Sequence, residues 1–348
     1  MTGGGTSGHV TPNIALFEPL KKAGFEIHYI GTADGIEKEL ITAEKIPFHE
    51  IHAGKLRRYL DMQNVKDVSK ILKGYRESVK ILKKLRPDVV FSKGGFVSCP
   101  VVWAAKRLKI PVVLHESDIT PGLANKLSLP SATKICYAFP ETKKHLPEEK
   151  SVYTGLPVRS SILNGNREEG LKLCQFDGKK PVLTVIGGSQ GSEFINHLVR
   201  ENLPALSETF DICHICGRNN MDAEMLNCAG YAQFEYLNQE LPDIMNATDL
   251  FVSRAGATVI FEILALKKPA LLIPLSKRAS RGDQILNAKS FERQGYTKTL
   301  EEEEIQDTVF TDTVKKLYAD RDTYIKNQTQ ASIVKSTNAI IHVILSAI

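Results

Sequence analysis

Residues 181–199 read PVLTVIGGSQGSEFINHLV, in which a short apolar run meets a glycine-rich turn and a helical pattern follows. Glycine lets the backbone approach a ligand closely, and the first turn of a helix offers unpaired N–H groups with partial positive charge. The stretch therefore predicts a parallel α/β sheet with an anion site at the turn. Its spacing matches neither a P-loop nor a complete G-x-G-x-x-G fingerprint, and a tight turn without a ligand would give a similar pattern.

The same alternation of Val- and Ile-rich runs with helical patterns extends through the whole chain. Strands are predicted at FEIHYIG, PDVVFSKG, PVVLHES, ATKICYA, KSVYTG, PVLTVIGG, FDICHICG, AQFEYL, DLFVSRAG and PALLIPL. Because 348 residues exceed what one core usually holds, we predict two Rossmann-like domains. Their bounds are 1–160 and 161–330, and a helix over 331–348 returns to the first domain. Ligands of such sheets bind at the carboxyl ends of the strands, so we expect a cleft between the domains to form the site.

The composition is that of an ordinary soluble protein. Hydrophobic residues make up 42% and charged residues 24%, and no run reaches the ~18 uncharged apolar residues of a membrane span. Six cysteines lack disulfide-like spacing, which fits a reducing cytoplasm. Cys213 and Cys216 have CxxC spacing, but no second pair completes a zinc site, so we interpret them as a strand end before a glycine turn.

Positive charge is concentrated in one segment. Residues 1–150 contain 24 basic and 16 acidic residues, and the range 55–86 alone contains 11 basic and 3 acidic residues. Such a segment attracts nucleic acid, anionic lipid or a phosphorylated substrate, and charge alone does not choose among them. Nucleic acid is the weakest choice because the segment lacks an aromatic stacking platform and a recognised motif.

Two further strand-to-helix junctions in the second half carry polar groups suited to a nucleotide-sugar. Small residues at 255–257 open a helix that contains Glu262, and a carboxylate there can accept both hydroxyls of a ribose. It could equally be a carboxylate that compensates the helix dipole. Asp283, Gln284 and Asn287 begin another helix and suit the hydroxyls of a sugar. Phosphate, ribose and sugar chemistry in one domain together point to a nucleotide-sugar.

Six motifs make the resemblance to a known family specific. They are GGGTSGHVTPNIAL, HESDITPGLANK, TGLPVR, IGGSQGS, SRAGATVIFE and GDQILNA. Together they resemble the MurG family, the N-acetylglucosaminyltransferases of peptidoglycan precursor synthesis. The motifs follow the family's order from residue 3 to residue 288, so the resemblance covers essentially the whole chain.

The resemblance implies a two-domain GT-B fold and an inverting sugar transfer. N-acetylglucosamine would pass from UDP to the 4-hydroxyl of N-acetylmuramyl-pentapeptide on undecaprenyl diphosphate (lipid I), giving lipid II. Carried over by motif, the residues that bind UDP-N-acetylglucosamine would be Thr6, Ser7, Gly8, Asp118, Arg159, Ser189, Asn238, Ala257, Thr258, Val259, Ile260, Phe261, Glu262 and Gln284. No metal or other cofactor is required by this scheme. The chain departs from the family's usual residue at Phe96, Asp118 and Asn238.

The chemistry of the implied reaction suggests roles for the remaining residues. Negative charge grows on the departing UDP, and fixed amides with Arg159 can stabilise it. Inversion needs a base for the acceptor hydroxyl, and His9 is the candidate, although it could instead donate a hydrogen bond to a ligand. Glu116 is assigned to the catalytic group, and His115 and Phe96 to the acceptor pocket.

An amphipathic helix is predicted within the basic segment. Apolar residues from Val65 to Leu85 recur at 3–4 spacing among Lys and Arg. The stripe could pack in the core, which is usual for α/β helices, or it could contact an anionic membrane that holds a lipid-linked substrate. We expect the helix edge and the loop before it to bind the cytoplasmic face of the cell membrane peripherally. The run EEEE at 301–304 is interpreted as a solvated helix start, and Asp320 and Asp322 as surface residues.

The glycine run at residues 3–8 begins almost at the first residue. Members of the family generally carry a short apolar strand before this loop, so the resemblance implies that the first strand of the N-terminal domain is missing. Its loss would expose strand edges and core at roughly 1.5–3 kcal/mol per side chain. We therefore expect Met1 to be an internal methionine, with the true start upstream.

The sequence also leaves two other functions open. One is a GT-B transferase that glycosylates diacylglycerol, which would share the fold, the nucleotide site and the membrane helix. The other is an inactive, truncated nucleotide-sugar binder. Transfer to each acceptor, or binding without transfer, distinguishes them.

Overall fold

The computed structural model describes residues 1–54, 63–188, 190–226, 228–277, 282–331 and 336–348. The chain divides into two compact units, Met1–Arg159 with Ile333–Ile348 and Ser160–Ser332. In both units the described strands pair in parallel.

The first unit contains two groups of paired strands. Strands β1 and β2 pair with each other, and β3 to β6 pair in chain order. The strands are β1 (Tyr29–Thr32), β2 (Phe48–Ile51), β3 (Val90–Ser92), β4 (Val112–Glu116), β5 (Lys134–Tyr137) and β6 (Ser151–Tyr153). The helices are α1 (Thr11–Lys22), α2 (Ile36–Ala43), α3 (Gln63–Leu85), α4 (Ser98–Arg107) and α5 (Leu123–Ser128).

The C-terminal helix, Ser336–Leu345, belongs to the first unit. Ile340 and Ile344 are buried in the same apolar cluster as Leu16 and Phe17 of α1. Burial of such side chains contributes roughly 1.5–3 kcal/mol each, so the end of the chain stabilises the unit in which the chain begins.

The second unit is a six-stranded sheet in the order β12–β11–β10–β7–β8–β9. The strands are β7 (Val182–Ile186), β8 (Asp211–Ile215), β9 (Tyr231–Phe234), β10 (Leu250–Ser253), β11 (Ala270–Leu272) and β12 (Lys298–Thr299). The helices are α6 (Ser160–Leu163), α7 (Arg167–Cys174), α8 (Glu193–Glu201), α9 (Leu203–Ser207), α10 (Leu241–Ala247), α11 (Ala257–Ala265), α12 (Asp283–Arg293), α13 (Asp307–Ala319) and α14 (Arg321–Thr329). This is the doubly wound order, in which the direction of winding reverses between β7 and β10.

Every strand predicted from an apolar run is present, although each is shorter than the quoted run. The prediction missed β2 and β12. The sequence of β2 is FHEI, of which only Ile51 is buried, and β12 has two residues. Neither therefore carries the apolar run by which the other strands were recognised.

The interpretation of EEEE as a solvated helix start holds only in part, because Glu303 and Glu304 are exposed but the run does not begin an α-helix. Glu302–Glu304 form a short 3-10 turn, and the next helix begins at Asp307. The side chain of Glu302 is only 15% exposed and forms an ion pair with Arg254.

The apolar stripe of α3 divides into two parts. Towards the end of the helix, Leu82 is buried against the sheet and Val79 is partly buried beside it. Near its beginning, Val68 and Leu72 are 51% and 54% exposed. Core packing therefore explains the second part of the stripe and leaves the first part unexplained.

Residues Met1 and Thr2 pair like the end of a strand between β1 and β3. Thr2 bridges in parallel to both Ile30 and Ser92. The Met1 nitrogen donates to the carbonyl of His28 at 2.5 Å, and the Met1 carbonyl accepts from the Ile30 amide at 2.9 Å. Burial lowers the pKa of the Met1 amine to about 5.

A cavity of about 440 Å³ adjoins Met1. Its walls include apolar side chains of β1, β3, α3, α4 and the C-terminal helix. They include Ile30, Leu82, Phe91, Val101 and Ile344. The cavity therefore has a lining that suits further apolar side chains beside Met1.

Joining the tetrapeptide Ile-Val-Ile-Val to Met1 is expected to raise the free energy of unfolding by about 2 kcal/mol or more. The added side chains would fill the apolar cavity, and an amide at Met1 can still donate to His28. Urea denaturation measures the change. A Gly-Ser-Gly-Ser extension is the matched control, and equal stability of the two extended chains would contradict the expectation.

Candidate functional site

Two glycine-containing turns lie at the switch point of the six-stranded sheet of the second unit. The turn after β7 leads into α8, and the turn after β10 leads into α11. Since β7 and β10 are neighbours, the amino ends of both helices lie at the same edge of the sheet. Two helix N-termini at a switch point form a site for an anionic ligand such as a diphosphate.

The turn after β7 can be built only from glycines at defined positions. Gly188 and Gly191 have φ angles of 96° and 78°, in the left-handed region. A Cβ on Gly191 would lie 2.0 Å from the carbonyl oxygen of Cys216. The turn ends at Ser192, whose hydroxyl caps α8 by accepting from the Ile195 amide at 3.3 Å. Ser189, the predicted diphosphate contact, lies outside the described residues.

The predicted nucleotide stretch at the start of α11 is divided between core and surface. Ile260 and Phe261 are buried, and Phe261 packs edge-on against Phe291 with 5.2 Å between ring centroids. Thr258 and Val259 are partly exposed. The side chains of Ile260 and Phe261 therefore pack in the core beneath the helix, and those of Thr258 and Val259 remain accessible.

Four further residues predicted for the donor lie in the second unit: Ala257, Glu262, Gln284 and Asn238. Glu262 is 5% exposed in α11, and Ala257 opens the same helix. The Gln284 side chain accepts from the Leu275 amide at 3.0 Å and so holds the loop before α12. Asn238 is exposed after β9, and its amide donates to Glu240 at 3.4 Å.

In the first unit, the glycine run is held from beneath by Glu37 of α2. This buried carboxylate accepts from the Gly5 amide at 3.2 Å and from the Thr32 amide at 3.1 Å. On its other side, the Gly3 carbonyl accepts from the Tyr29 hydroxyl at 2.7 Å. Sequence reasoning missed Glu37 because nothing in its local pattern distinguishes it from an exposed helical glutamate.

His9 lies at the end of a 3-10 turn formed by Ser7–His9, directly before α1. Its Nδ1 is 2.8 Å from the Thr6 hydroxyl, and both side chains are at least partly exposed. If Nδ1 carries the proton and donates to Thr6, Nε2 is the basic nitrogen of the ring.

The second glycine pair of the first unit packs directly on the first run. A Cβ on Gly95 would lie 2.2 Å from the Gly4 carbonyl oxygen. A Cβ on Gly5 would lie 2.5 Å from the Phe96 ring, so this ring covers the backbone of the glycine run. Phe96 is thus close to the residues predicted to close the donor site.

Glu116 and His115 at the end of β4 are both buried. Glu116 accepts from the Asp118 amide at 3.0 Å, the Gly122 amide at 3.2 Å and the Asn125 side chain at 2.8 Å. It therefore fixes the loop that carries Asp118. His115 donates from Nε2 to the Gly155 carbonyl at 2.9 Å, and burial holds its pKa well below the ordinary value, so the ring is neutral.

Lys93 is a buried cation that the sequence analysis did not single out. It is 1% exposed, and its ammonium contacts the Ser117 hydroxyl in the loop after Glu116. Burial lowers the pKa of Lys93 to about 8, against the attraction of Glu116 and Asp118. Burial raises the pKa of Glu116.

Arg159 ends the first segment of the first unit and is partly exposed. Asp320 and Asp322 are exposed. Among the residues that the structure describes, no group of three or more His, Cys, Asp or Glu side chains is placed to hold a metal ion. Nor does any helix in those ranges have the length and apolar character needed to cross a membrane.

Solved structures similar to this chain include glycosyltransferases and a UDP-GlcNAc 2-epimerase. A MurG structure from Acinetobacter baumannii has a TM-score of 0.75 at 25% identity and covers 99% of this chain and 98% of its own. The calicheamicin glycosyltransferase CalG4 has a TM-score of 0.67 at 15% identity, covering 97% and 94%. A UDP-GlcNAc 2-epimerase from Neisseria meningitidis has the same score and identity as CalG4, covering 99% and 98%. The class defined by fold and site is the GT-B glycosyltransferase.

The chain belongs to glycosyltransferase family 28. Residues 1–137 match the N-terminal domain of that family, and residues 182–343 match its C-terminal domain. A protein of Clostridium botulinum (strain Langeland) is 56% identical over 333 residues, which are 96% of this chain and 94% of that protein. One of Clostridium tetani is 54% identical over 344 residues, 99% and 96% of the two chains. Both are named UDP-N-acetylglucosamine–N-acetylmuramyl-(pentapeptide) pyrophosphoryl-undecaprenol N-acetylglucosamine transferase, the enzyme called MurG.

Replacing Lys93 by Met is expected to remove a pH dependence of stability. Because the pKa of Lys93 is about 8 in the folded chain and near 10.5 when exposed, the unfolded chain binds more protons between these values. The free energy of unfolding of the unaltered chain should therefore rise by about 2 kcal/mol from pH 8 to 10 relative to Lys93→Met. Urea denaturation at each pH measures this. A Lys126→Met variant, altered at an exposed lysine, should behave like the unaltered chain; if Lys93→Met does so as well, the burial argument is wrong.

Proposed function

We propose that this chain transfers N-acetylglucosamine from UDP-N-acetylglucosamine to the 4-hydroxyl of the muramyl sugar of lipid I, giving lipid II for peptidoglycan. The observation that carries the proposal is 54–56% identity, over 96–100% of the chain, to curated proteins named for this transfer. Fold alone would not suffice, because antibiotic glycosyltransferases and an epimerase share it.

The donor diphosphate is proposed to bind at the switch point of the second unit. The amino ends of α8 and α11 both present N–H groups there, and these favour negative charge. Ser189 and Arg159 would contact the diphosphate, Glu262 the ribose and Gln284 the sugar. Charge grows on the departing UDP during transfer, so amides fixed in place stabilise the transition state more than the ground state.

The acceptor hydroxyl is proposed to lose its proton to His9. The hydrogen bond between His9 Nδ1 and the Thr6 hydroxyl fits this role in the tautomer in which Nδ1 donates, because Nε2 is then the basic nitrogen. Glu116 has three N–H donors around its carboxylate, which favours a positioning role for it over the catalytic one expected from the sequence. His115 is fully buried, so its part in the acceptor pocket would be to support the pocket wall.

We further propose that transfer needs no metal or other cofactor. Helix N-termini and Arg159 would supply the positive charge that a metal ion supplies in other transferases. Full activity in the presence of a chelator supports this part of the proposal, and loss of activity that Mg²⁺ restores contradicts it.

The chain is proposed to reach its lipid-linked acceptor by binding peripherally to the cytoplasmic face of the cell membrane. Val68 and Leu72 are exposed on α3, and Lys70, Lys73 and Arg76 belong to the same helix. Apolar residues can enter the lipid interface, and each nearby basic residue adds about 1 kcal/mol at an anionic surface.

The activity is tested by transfer of labelled N-acetylglucosamine from UDP to lipid I. We expect His9→Gln to lower kcat by about 100-fold or more with little change in KM for the donor, because a base acts in the chemical step. A small effect of His9→Gln would instead mark His9 as a hydrogen-bond donor to a ligand. Transfer to diacylglycerol in preference to lipid I, or binding of the donor without transfer, would overturn the proposed function.

Membrane binding is tested with vesicles. We expect the double variant Val68→Glu, Leu72→Glu to lose most of its binding to vesicles that contain anionic lipid, because charged side chains do not enter the interface. Leu163→Glu, altered at a similarly exposed leucine of the second unit, serves as the control and should bind normally. Equal binding of the unaltered chain to neutral and anionic vesicles would contradict the electrostatic part of the proposal.

A further inference from the structure

Arg254 is a nearly buried arginine at the carboxyl end of β10, directly before the turn that opens α11. It is 7% exposed, and its backbone amide donates to the Ile186 carbonyl at 3.2 Å, continuing the pairing of β10 with β7. Its guanidinium therefore lies beneath the switch point of the sheet. No role was assigned to it from the sequence.

The guanidinium joins three separate segments of the second unit. One terminal nitrogen donates to the Ile273 and Pro274 carbonyls at 3.1 and 3.3 Å, just after β11. The other donates to the Ser192 hydroxyl at 2.6 Å and lies 2.5 Å from a carboxylate oxygen of Glu302. A planar guanidinium carries its donors on separate nitrogen atoms in a fixed fork, whereas an ammonium carries all three of its donors on one nitrogen.

Each of these partners bears on the proposed donor site. Ser192 ends the glycine turn and caps α8, so a bond to its hydroxyl fixes where the turn's amides lie. Pro274 directly precedes Leu275, whose amide is held by the Gln284 side chain. Arg254 thus connects the turn at Ser192, which is proposed to bind the diphosphate, with the segment at Pro274 and Leu275 that Gln284 holds.

Glu302 supplies the negative charge that a buried arginine needs. Its side chain is 15% exposed, and it comes from the short 3-10 turn before α13. A buried cation without a partner is costly, and pairing with a carboxylate offsets that cost. The acidic run at 301–304 therefore contributes one residue to the support of the site.

We propose that Arg254 is a positioning residue of the donor site, which holds the glycine turn at Ser192 in the arrangement that receives the diphosphate. The inference rests on the proposed function, because the ligand at the turn is taken to be the diphosphate of UDP. It assigns Arg254 no contact with the ligand. Its action passes through Ser192 and through the Ile273 and Pro274 carbonyls.

Calorimetric titration of the full chain with UDP and with uridine tests the inference. The Arg254→Lys variant keeps the charge but cannot reach Ser192 and the two carbonyls together. We expect its affinity for UDP to fall about tenfold while its affinity for uridine is unchanged, since uridine has no phosphate. If Arg254 contributed only to stability, its replacement would change the affinities for UDP and uridine to the same extent.

Arg167→Lys is the matched control. Arg167 also joins two segments of the second unit, through Asp249 and the Ala247 carbonyl, but at the amino end of β10. It should leave the affinities for UDP and uridine unchanged. Ser192→Ala removes the partner rather than the arginine, and it carries the test if Arg254→Lys does not fold.

The outcomes separate this inference from the proposed function. If the unaltered chain does not bind UDP, the proposed function fails, and the inference fails with it. If the unaltered chain binds UDP and Arg254→Lys and Ser192→Ala bind it equally well, only the inference is overturned. Equal losses of affinity for UDP and for uridine would also overturn the inference, because they would indicate a general structural role of Arg254.

Discussion

The close approach of backbone segments at the carboxyl ends of the strands is the constraint on which both units depend. In the second unit, the turn after β7 lies against the carbonyl of Cys216, and Gly191 leaves no room for a Cβ. In the first unit, Gly95 lies against Gly4 in the same manner. Because no side chain separates these segments, their backbones pack directly against each other, and a Cβ at either glycine would clash with a carbonyl oxygen.

Packed glycines do not hold themselves in position, because glycine loses more conformational entropy on folding than any other residue. In both units a buried charged side chain supplies the missing restraint. Glu37 holds the glycine run from below, Glu116 holds the loop to Asn125, and Arg254 holds the turn at Ser192. These charges are satisfied by backbone amides, by side-chain donors or by opposite charges, which makes their burial tolerable.

The architecture alone does not determine the chemistry of this chain. The calicheamicin glycosyltransferase CalG4 and a UDP-GlcNAc 2-epimerase share its fold at 15% identity. What they have in common is the doubly wound sheet with a switch point, which accepts a nucleotide in many enzymes. Such enzymes must differ on the acceptor side, and the exposed apolar residues of α3 support the proposed binding to a membrane.

The sequence alone determined the two α/β units, all strands with continuous apolar runs and the glycine turns that mark the site, because these features depend on local periodicity and on the backbone freedom of glycine. It also determined the family, through six motifs in order along the chain. Only the tertiary structure decided which charged residues support the site. From the sequence, Glu302 was predicted to be one of four solvated glutamates. In the structure it forms an ion pair with Arg254, 48 positions earlier in the sequence. Likewise, one apolar stripe on α3 divides into buried and exposed parts. Burial and long-range pairing depend on which segments meet in space, and local patterns do not contain that information.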